Sequence, residues 1–193
     1  VLIEKQAIPT DAEIVLLAAP RSAFLDVELK ALDTYVRGGG KLLVMMEPNS
    51  SASMKAFLAK YCVDWKPNKV VLETNSLQQL AGGNPLAPII ASYDKSSDIT
   101  KDINQISLFP LASPIEKTKE APAGMKVTSL FSTSPRSLEV ELKGNQVNPK
   151  EKDARKGPLS LALAISGSVQ DPKAPAKTEE PPSEESKTKE FRV

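Results

Sequence analysis

Two short apolar runs with an amphipathic segment between them dominate the first quarter of the sequence. The first run, residues 14–19, is continuously apolar between Asp11 and Pro20, which is typical of a strand covered on both faces. The next segment carries large apolar residues on one side of a helix: Leu25, Leu29, Leu32 and Val36. Residues 41–46 then repeat the pattern of the first run. This order predicts a strand–helix–strand unit with parallel strands and a right-handed crossover.

The residues at the two ends of the amphipathic segment are typical of helix termini. Asp26 can accept backbone N–H bonds at the start of the helix. Gly38 follows Arg37 at the point where many helices end with a left-handed residue, so we expect Gly38 to adopt that conformation. A phosphate-binding loop is excluded here, because such a loop follows a strand and opens a helix, whereas residues 38–41 follow a helix and open a strand.

Later segments favour strands over helices. A second helix is predicted over residues 54–61, and we interpret Ser50 and Ser51 as its caps. Strand patterns follow at residues 70–73, 89–93, 106–111, 126–131, 137–142 and 159–166. We therefore expect an α/β fold with a mostly parallel sheet flanked by helices and a strand-rich second half.

The expected domain organisation is one α/β domain over residues 1–168. Residues 169–190 combine proline with lysine and glutamate, and residues 171–190 contain no large apolar side chain, so 169–190 is predicted to be a flexible loop or tail. Residues 191–193 restore strand character and are interpreted as the start of a final strand.

Composition narrows the function classes. A length of 193 residues with 40% hydrophobic content suffices for one well-buried domain. The net charge is only +1, so the chain has no strong field to recruit nucleic acid. No apolar run approaches the roughly 18 residues that span a bilayer. The sequence opens at Val1 without a leader pattern and reads as a fragment of a longer protein.

The residue types needed for common hydrolytic chemistry are scarce. The sequence contains no histidine and a single cysteine, Cys62, which follows the second predicted helix. A nucleophilic thiol requires a nearby base, so Cys62 is interpreted as a buried structural residue. Triads that use histidine are excluded, and we expect no catalytic residues, no metal and no cofactor.

Candidate binding residues follow the two predicted parallel strands. Ligands of open α/β sheets bind outside the carboxyl ends of the strands. That edge carries Arg21 and Ser22 after the first strand and Glu47, Asn49 and Ser50 after the second. These side chains can bind a polar ligand or a partner protein, but they are equally compatible with ordinary loops.

Several short motifs occur in a particular order along residues 8–166. They are the lead-in Ala7-Ile8-Pro9-Thr10-Asp11-Ala12-Glu13, then Ala19-Pro20, Glu28, Leu32 and Tyr35 before Gly38-Gly39-Gly40-Lys41-Leu42-Leu43, then Glu47-Pro48, Leu58-Ala59-Lys60-Tyr61, Asp98-Ile99-Thr100, Phe109 and Lys156-Gly157-Pro158-Leu159. In this order they resemble the gliding-motility-type auxiliary component of ABC transport systems. The chain departs from the family pattern at Cys62, where glycine is more usual.

The resemblance implies a flavodoxin-like or class I amidotransferase-like fold without its active site. It also implies a periplasmic domain on the outer face of the inner membrane, anchored by a segment outside this chain, with ABC permease and ATPase subunits as partners. The expected function is therefore a non-enzymatic interaction or ligand-recognition module. The alternative is a small-molecule sensor or hydrolase-like enzyme on the same fold.

Overall fold

A computed structural model describes residues 8–74, 83–118, 124–144, 146–149, 153–169 and 189–193. Its helices are α1, Asp26–Arg37, and α2, Ser53–Ala59. Its strands are β1 Ile14–Ala18, β2 Lys41–Met45, β3 Val63–Trp65, β4 Lys69–Leu72, β5 Ile89–Ile90, β6 Ser107–Leu108, β7 Ile115–Lys117, β8 Met125–Ser132, β9 Leu138–Lys143, β10 Gln146–Val147, β11 Arg155–Lys156, β12 Ser160–Val169 and β13 Lys189–Arg192.

The predicted strand–helix–strand unit is confirmed. Strands β1 and β2 pair in parallel, in a register that runs from Ile14 beside Lys41 to Ala18 beside Met45, and α1 connects them. The cap predicted at Asp26 is wrong, because Asp26 is the first residue of α1 and Leu25 is the N-cap. The N–H of Leu25 donates to the Glu28 carboxylate at 3.0 Å.

The expected conformation of the first glycine after α1 is wrong. Gly38 has φ −75°, and the left-handed position belongs to the next residue, Gly39, with φ 94°. The Gly38 N–H still bonds to the carbonyls of Thr34 and Tyr35, so the last helical turn continues through Gly38. The reversal of the chain is therefore delayed by one residue, and Gly39 is the position that requires a glycine.

Five strands form the central sheet, in the order β1-β2-β13-β12-β8. Strand β13 is parallel to β2 on one side and antiparallel to β12 on the other, and β12 is antiparallel to β8. One face of this sheet packs against α1, α2 and the antiparallel β3–β7 pair, with a core that includes Leu32, Phe57, Trp65, Ile165 and Phe191. The sheet is therefore mixed, with its helices on one side.

The flavodoxin-like or class I amidotransferase-like fold, with a mostly parallel sheet flanked by helices, is wrong. The described residues contain two helices, and the strands after β4 pair antiparallel apart from the β13–β2 contact. Antiparallel strands need no crossover helix, so the second half of the chain builds sheet without adding a helical layer. An apolar run such as residues 14–19 does not by itself show how many faces of the strand are covered.

A second, smaller sheet has a core of its own. Strands β4, β10 and β11 all pair with β9, around a small core of Val70, Leu72 and Val140. The remaining short strands, β5 and β6, pair with each other. Residues 170–188, which include most of the predicted flexible segment, lie outside the described residues, so that prediction is untested.

An arginine joins the smaller sheet to the β3–β7 pair. Arg155 of β11 donates to the Glu139 carboxylate of β9 from Nε at 2.7 Å and from Nη2 at 2.6 Å, and its Nη1 lies 2.8 Å from the Glu116 carboxylate of β7. Lys66 Nζ also lies 3.6 Å from Glu139. Burial alone would lower the pKa of Arg155, but the charges of Glu139 and Glu116 outweigh it and raise that pKa.

Candidate functional site

The carboxyl ends of β1 and β2 meet at one edge of the sheet, as the sequence predicts. The N–H of Ser51 donates to the Pro20 carbonyl at 2.7 Å, which joins the two loops. Arg21 Nη2 lies 3.4 Å from the Glu47 carboxylate, so these two candidates are adjacent. Both side chains are largely exposed, and such surface ion pairs contribute little to stability.

The other candidates at this edge have different environments. Ser50 is buried, and its Oγ accepts the Glu47 N–H at 2.8 Å, so its hydroxyl stabilises a turn and does not cap α2. Ser22 and Asn49 are exposed, and among the described residues their side chains make no hydrogen bond. This edge is therefore a turn surrounded by exposed polar groups. A concave surface lies at the other end of β1 and β2.

The uncovered face of the central sheet is apolar over β1 and β2. Alternate side chains of these strands remain in solvent, with exposed fractions of 60% for Ile14, 53% for Leu16, 54% for Leu43 and 49% for Met45. These residues alternate with buried or half-buried side chains that pack toward the helices, as the period of a strand requires. We call this surface the open face.

A groove of about 690 Å³ lies over the open face, near the amino ends of β1 and β2. The turn formed by residues 96–99 and strand β8 flank the floor of the groove, and Ile99 in that turn is itself exposed. This groove lies at the opposite end of β1 and β2 from Arg21 and Glu47. The predicted site residues and the groove are therefore separate.

Three positive charges cross the open face in one line. The strand registers align one residue from each strand across the sheet: Ile14, Lys41, Arg192, Ser166 and Lys126. We call Lys41, Arg192 and Lys126 the basic row, and all three line the groove. Within the part of the chain that the structure describes, none of the three forms a salt bridge.

Two carboxylates lie near the basic row without pairing with it. The pKa of Asp98 is lowered chiefly by the hydrogen bond and charge of Lys101, with a smaller effect from Arg192. The pKa of Asp94 is lowered chiefly by hydrogen bonds from Ser96, with a smaller effect from Lys126. Because both carboxylates already accept hydrogen bonds from their own turn, the basic row remains available to an external anion.

Lys41 and Arg192 are neighbours of like charge on adjacent strands, and such pairs destabilise a sheet. We therefore expect Lys41→Glu to raise the melting temperature by about 1 to 2 °C, equivalent to about 0.5 kcal/mol. Lys41→Gln, which removes the repulsion without adding an attraction, should give a smaller increase. Differential scanning calorimetry of the three proteins tests this order, and a lower melting temperature for Lys41→Glu would contradict it.

Cys62 is buried and follows α2 in the left-handed conformation, with φ 63°. Its Sγ lies 3.7 Å from the Met125 Sδ, in apolar surroundings. The conformation explains why glycine suits this position better than cysteine, since a Cβ is strained there. The thiol therefore has a packing role.

The backbone strain at Cys62 can be tested by comparing the stabilities of two variants. Cys62→Gly should be about 1 kcal/mol more stable than Cys62→Ala, although glycine fills less of the core, because only alanine retains the strained Cβ. Urea denaturation followed by circular dichroism measures the difference. Equal stabilities, or a more stable alanine variant, would show that burial of the side chain outweighs the backbone strain.

Sequence reasoning missed the basic row because its members are far apart in the chain. Lys41 and Lys126 were visible as single charges on predicted strands, and Arg192 lies in the last predicted strand. Only the insertion of β13 between β2 and β12 brings the three together. The signal that the sequence offered was a lysine or arginine within each of three predicted strands.

Comparisons with known proteins give a family and a distant structural likeness. No curated protein matches the chain. The solved structure titled mmIFT52 N-terminal domain is 18% identical, with a TM-score of 0.52, and the match covers 74% of this chain and 65% of that one. A ThuA-like protein from Bacteroides uniformis ATCC 8492 is 15% identical, with a TM-score of 0.34, and the match covers 79% of this chain and 54% of that one. The chain thus spans less than two thirds of either structure.

The match to a family model is much more extensive. It covers residues 1–192, almost the whole sequence, and the family is described as an ABC-type uncharacterized transport system. No helix in the described part of the chain is both long and apolar enough to cross a bilayer. Because the family model matches almost the whole sequence, the chain belongs to the auxiliary components of ABC-type transport systems.

Proposed function

We propose that this domain is a non-enzymatic recognition module of its transport system, which binds a partner protein on the extracytoplasmic face of the inner membrane. The open face is the observation that carries this proposal. Four large apolar side chains, Ile14, Leu16, Leu43 and Met45, lie in solvent next to one another on two paired strands. Contiguous exposed apolar surface of this kind marks interaction sites in soluble domains.

Several features support the non-enzymatic part of the proposal. The sequence lacks histidine, the Cys62 thiol is buried, and the Ser50 hydroxyl is engaged in a turn. Acyl transfer requires a nucleophile, a base and an oxyanion site assembled together. Purified protein should therefore show no turnover of esterase, amidase or glutaminase substrates. Turnover that Cys62→Ala, Ser50→Ala or Ser51→Ala abolishes would favour the hydrolase-like alternative.

A small-molecule sensor is the second candidate. The groove volume of about 690 Å³ falls within the range of ligand pockets, about 300 to 1,000 Å³. Native mass spectrometry of protein purified from its source organism distinguishes the two functions. A bound metabolite of constant mass would favour the sensor.

The test of the recognition module is purification of the full-length protein from membranes in mild detergent. The ABC permease and ATPase subunits should co-purify with it, and a protein that emerges alone would contradict the proposal. Protease added to intact spheroplasts should digest this domain if it lies outside the cytoplasm. The relation to gliding motility, which rests on the family resemblance, predicts that a deletion strain loses surface spreading.

A further inference from the structure

We infer that the open face binds an acidic amphipathic α-helix of a partner protein, with the apolar side of the helix on β1 and β2 and its carboxylates at the basic row. This inference rests on the proposed function, because it names the surface and the chemistry of the partner that the module recognises. Three properties of the groove carry it: the covering that its strands require, its charge, and its shape.

The pairing of β1 and β2 indicates that a helix covers the open face. Sheets built only of parallel strands almost always have both faces covered by helices, and β1 and β2 form a parallel pair within this mixed sheet. Here α1 and α2 pack on one side only, while Leu16 and Leu43 remain in solvent on the other. A helix is about 10 Å wide and strands are about 4.8 Å apart, so one helix spans both strands.

The charge of the groove indicates that the helix is acidic. Lys41 and Arg192 lie side by side on adjacent strands, and Lys126 continues the row on β8. Like charges at neighbouring positions oppose folding, so this arrangement favours a bound carboxylate over an empty surface. The apolar floor and the basic row are adjacent, because Leu43 is two residues from Lys41 on the same face of β2. The complementary ligand therefore has apolar residues next to acidic ones.

Other occupants fit the groove less well. A second copy of this chain, docked by the same face, would bring two basic rows together. The Pro/Glu/Lys segment at residues 171–188 contains no large apolar side chain that could cover Leu16 and Leu43. A lipid surface is flat, whereas this floor lies between β8 and the turn at residues 96–99.

Site-specific photo-cross-linking tests the inference in the full-length protein, expressed with its permease and ATPase subunits in native membranes. A benzoylphenylalanine placed at Leu43 should form an adduct with the permease subunit. The cross-linked peptide, identified by mass spectrometry, should be an amphipathic helical segment with carboxylates near its attachment point. The same probe placed at Lys30, on the exposed side of α1, is the control and should give no adduct with that segment.

The cross-linked segment, made as a synthetic peptide, then measures the role of the basic row. Lys41→Glu should weaken its Kd for the purified domain by at least about tenfold, whereas Lys30→Glu, with the same change of charge, should leave it within about twofold. Lys41→Gln should give an intermediate Kd. Circular dichroism melting of each variant confirms that the loss is not one of folding.

The results that overturn the inference are distinct from those that overturn the proposed function. The inference would be overturned by an adduct with lipid, with a second copy, with residues 1–7 of the same chain or with a segment lacking carboxylates. The absence of any adduct would also overturn it. So would a peptide Kd that is unchanged in Lys41→Glu. If the permease and ATPase still co-purify in that case, the recognition function stands and only its surface is wrong. If they never co-purify, the function itself fails.

Discussion

Trp65→Ala should lower the free energy of unfolding by about 3 to 5 kcal/mol, the range for removal of a fully buried aromatic side chain. Trp65 has no solvent exposure and lies in the main core. Its indole N–H donates to the Ser113 Oγ at 3.1 Å, and that hydroxyl donates to the Lys69 carbonyl at 2.8 Å. The substitution therefore opens a cavity and also breaks the link from β3 to the start of β4.

Two further variants separate these contributions. Trp65→Phe keeps most of the packing and should lose about 1 to 2 kcal/mol, mainly through the missing hydrogen bond. Ser113→Ala removes the acceptor of the indole N–H and should cost a similar amount. Urea denaturation should be followed by circular dichroism, because Trp65 is the single tryptophan of the chain. A loss below 1 kcal/mol for Trp65→Ala would contradict the role assigned to this residue.

Arg155→Met should lower the free energy of unfolding by about 2 kcal/mol. Removal of one partner from a buried ion pair costs about 3 to 5 kcal/mol, and the partial exposure of Arg155 reduces that figure. Its partner Glu139 is only 6% exposed. Without Arg155, the one cation left beside that carboxylate among the described residues is Lys66, at 3.6 Å. Methionine retains much of the aliphatic bulk, which limits the effect to the lost charge and hydrogen bonds.

The neighbouring residue on β11 provides the control. Lys156 is exposed, and Lys156→Met should change the stability by no more than about 0.5 kcal/mol. Glu116→Gln, which removes the less buried of the two carboxylates at Arg155, should fall between the two. Equal stabilities for Arg155→Met and Lys156→Met would show that the arginine does not join the smaller sheet to the β3–β7 pair.

The local sequence pattern predicted the structural features that depend on residues close together in the chain. The β1–α1–β2 unit follows from the spacing of apolar residues within residues 14–45, and the parallel pairing follows from the crossover, whereas the caps predicted at Asp26 and Gly38 were each wrong by one residue. The order of the central sheet does not follow from the local pattern, because it depends on where residues 189–192 insert. The fold class was wrong for the same reason: β8 and β12 pair antiparallel and need no crossover helix, so the chain adds no helix of its own to the second face of the sheet.

The candidate site was predicted in part. The rule that ligands bind at the carboxyl ends of parallel strands identified residues that do meet there, Arg21 and Glu47. The same rule could not find the groove, which depends on a turn at residues 96–99 lying over the opposite end of the strands. In a mixed sheet with one uncovered face, the face itself competes with the strand ends as a binding surface.

The central position of β13 makes the sheet depend on the order of protein synthesis. Strands β1 and β2 are made first, but the strand that bonds them to β12 and β8 is made roughly 7 to 30 s later. During that interval the inner edge of β2 has no partner, and the inner edge of β12 is unpaired for the last few seconds of it; unpaired edges promote aggregation. Slower synthesis therefore prolongs the vulnerable state, and a chaperone that shields strand edges should increase the yield of folded protein more than a lower expression level does.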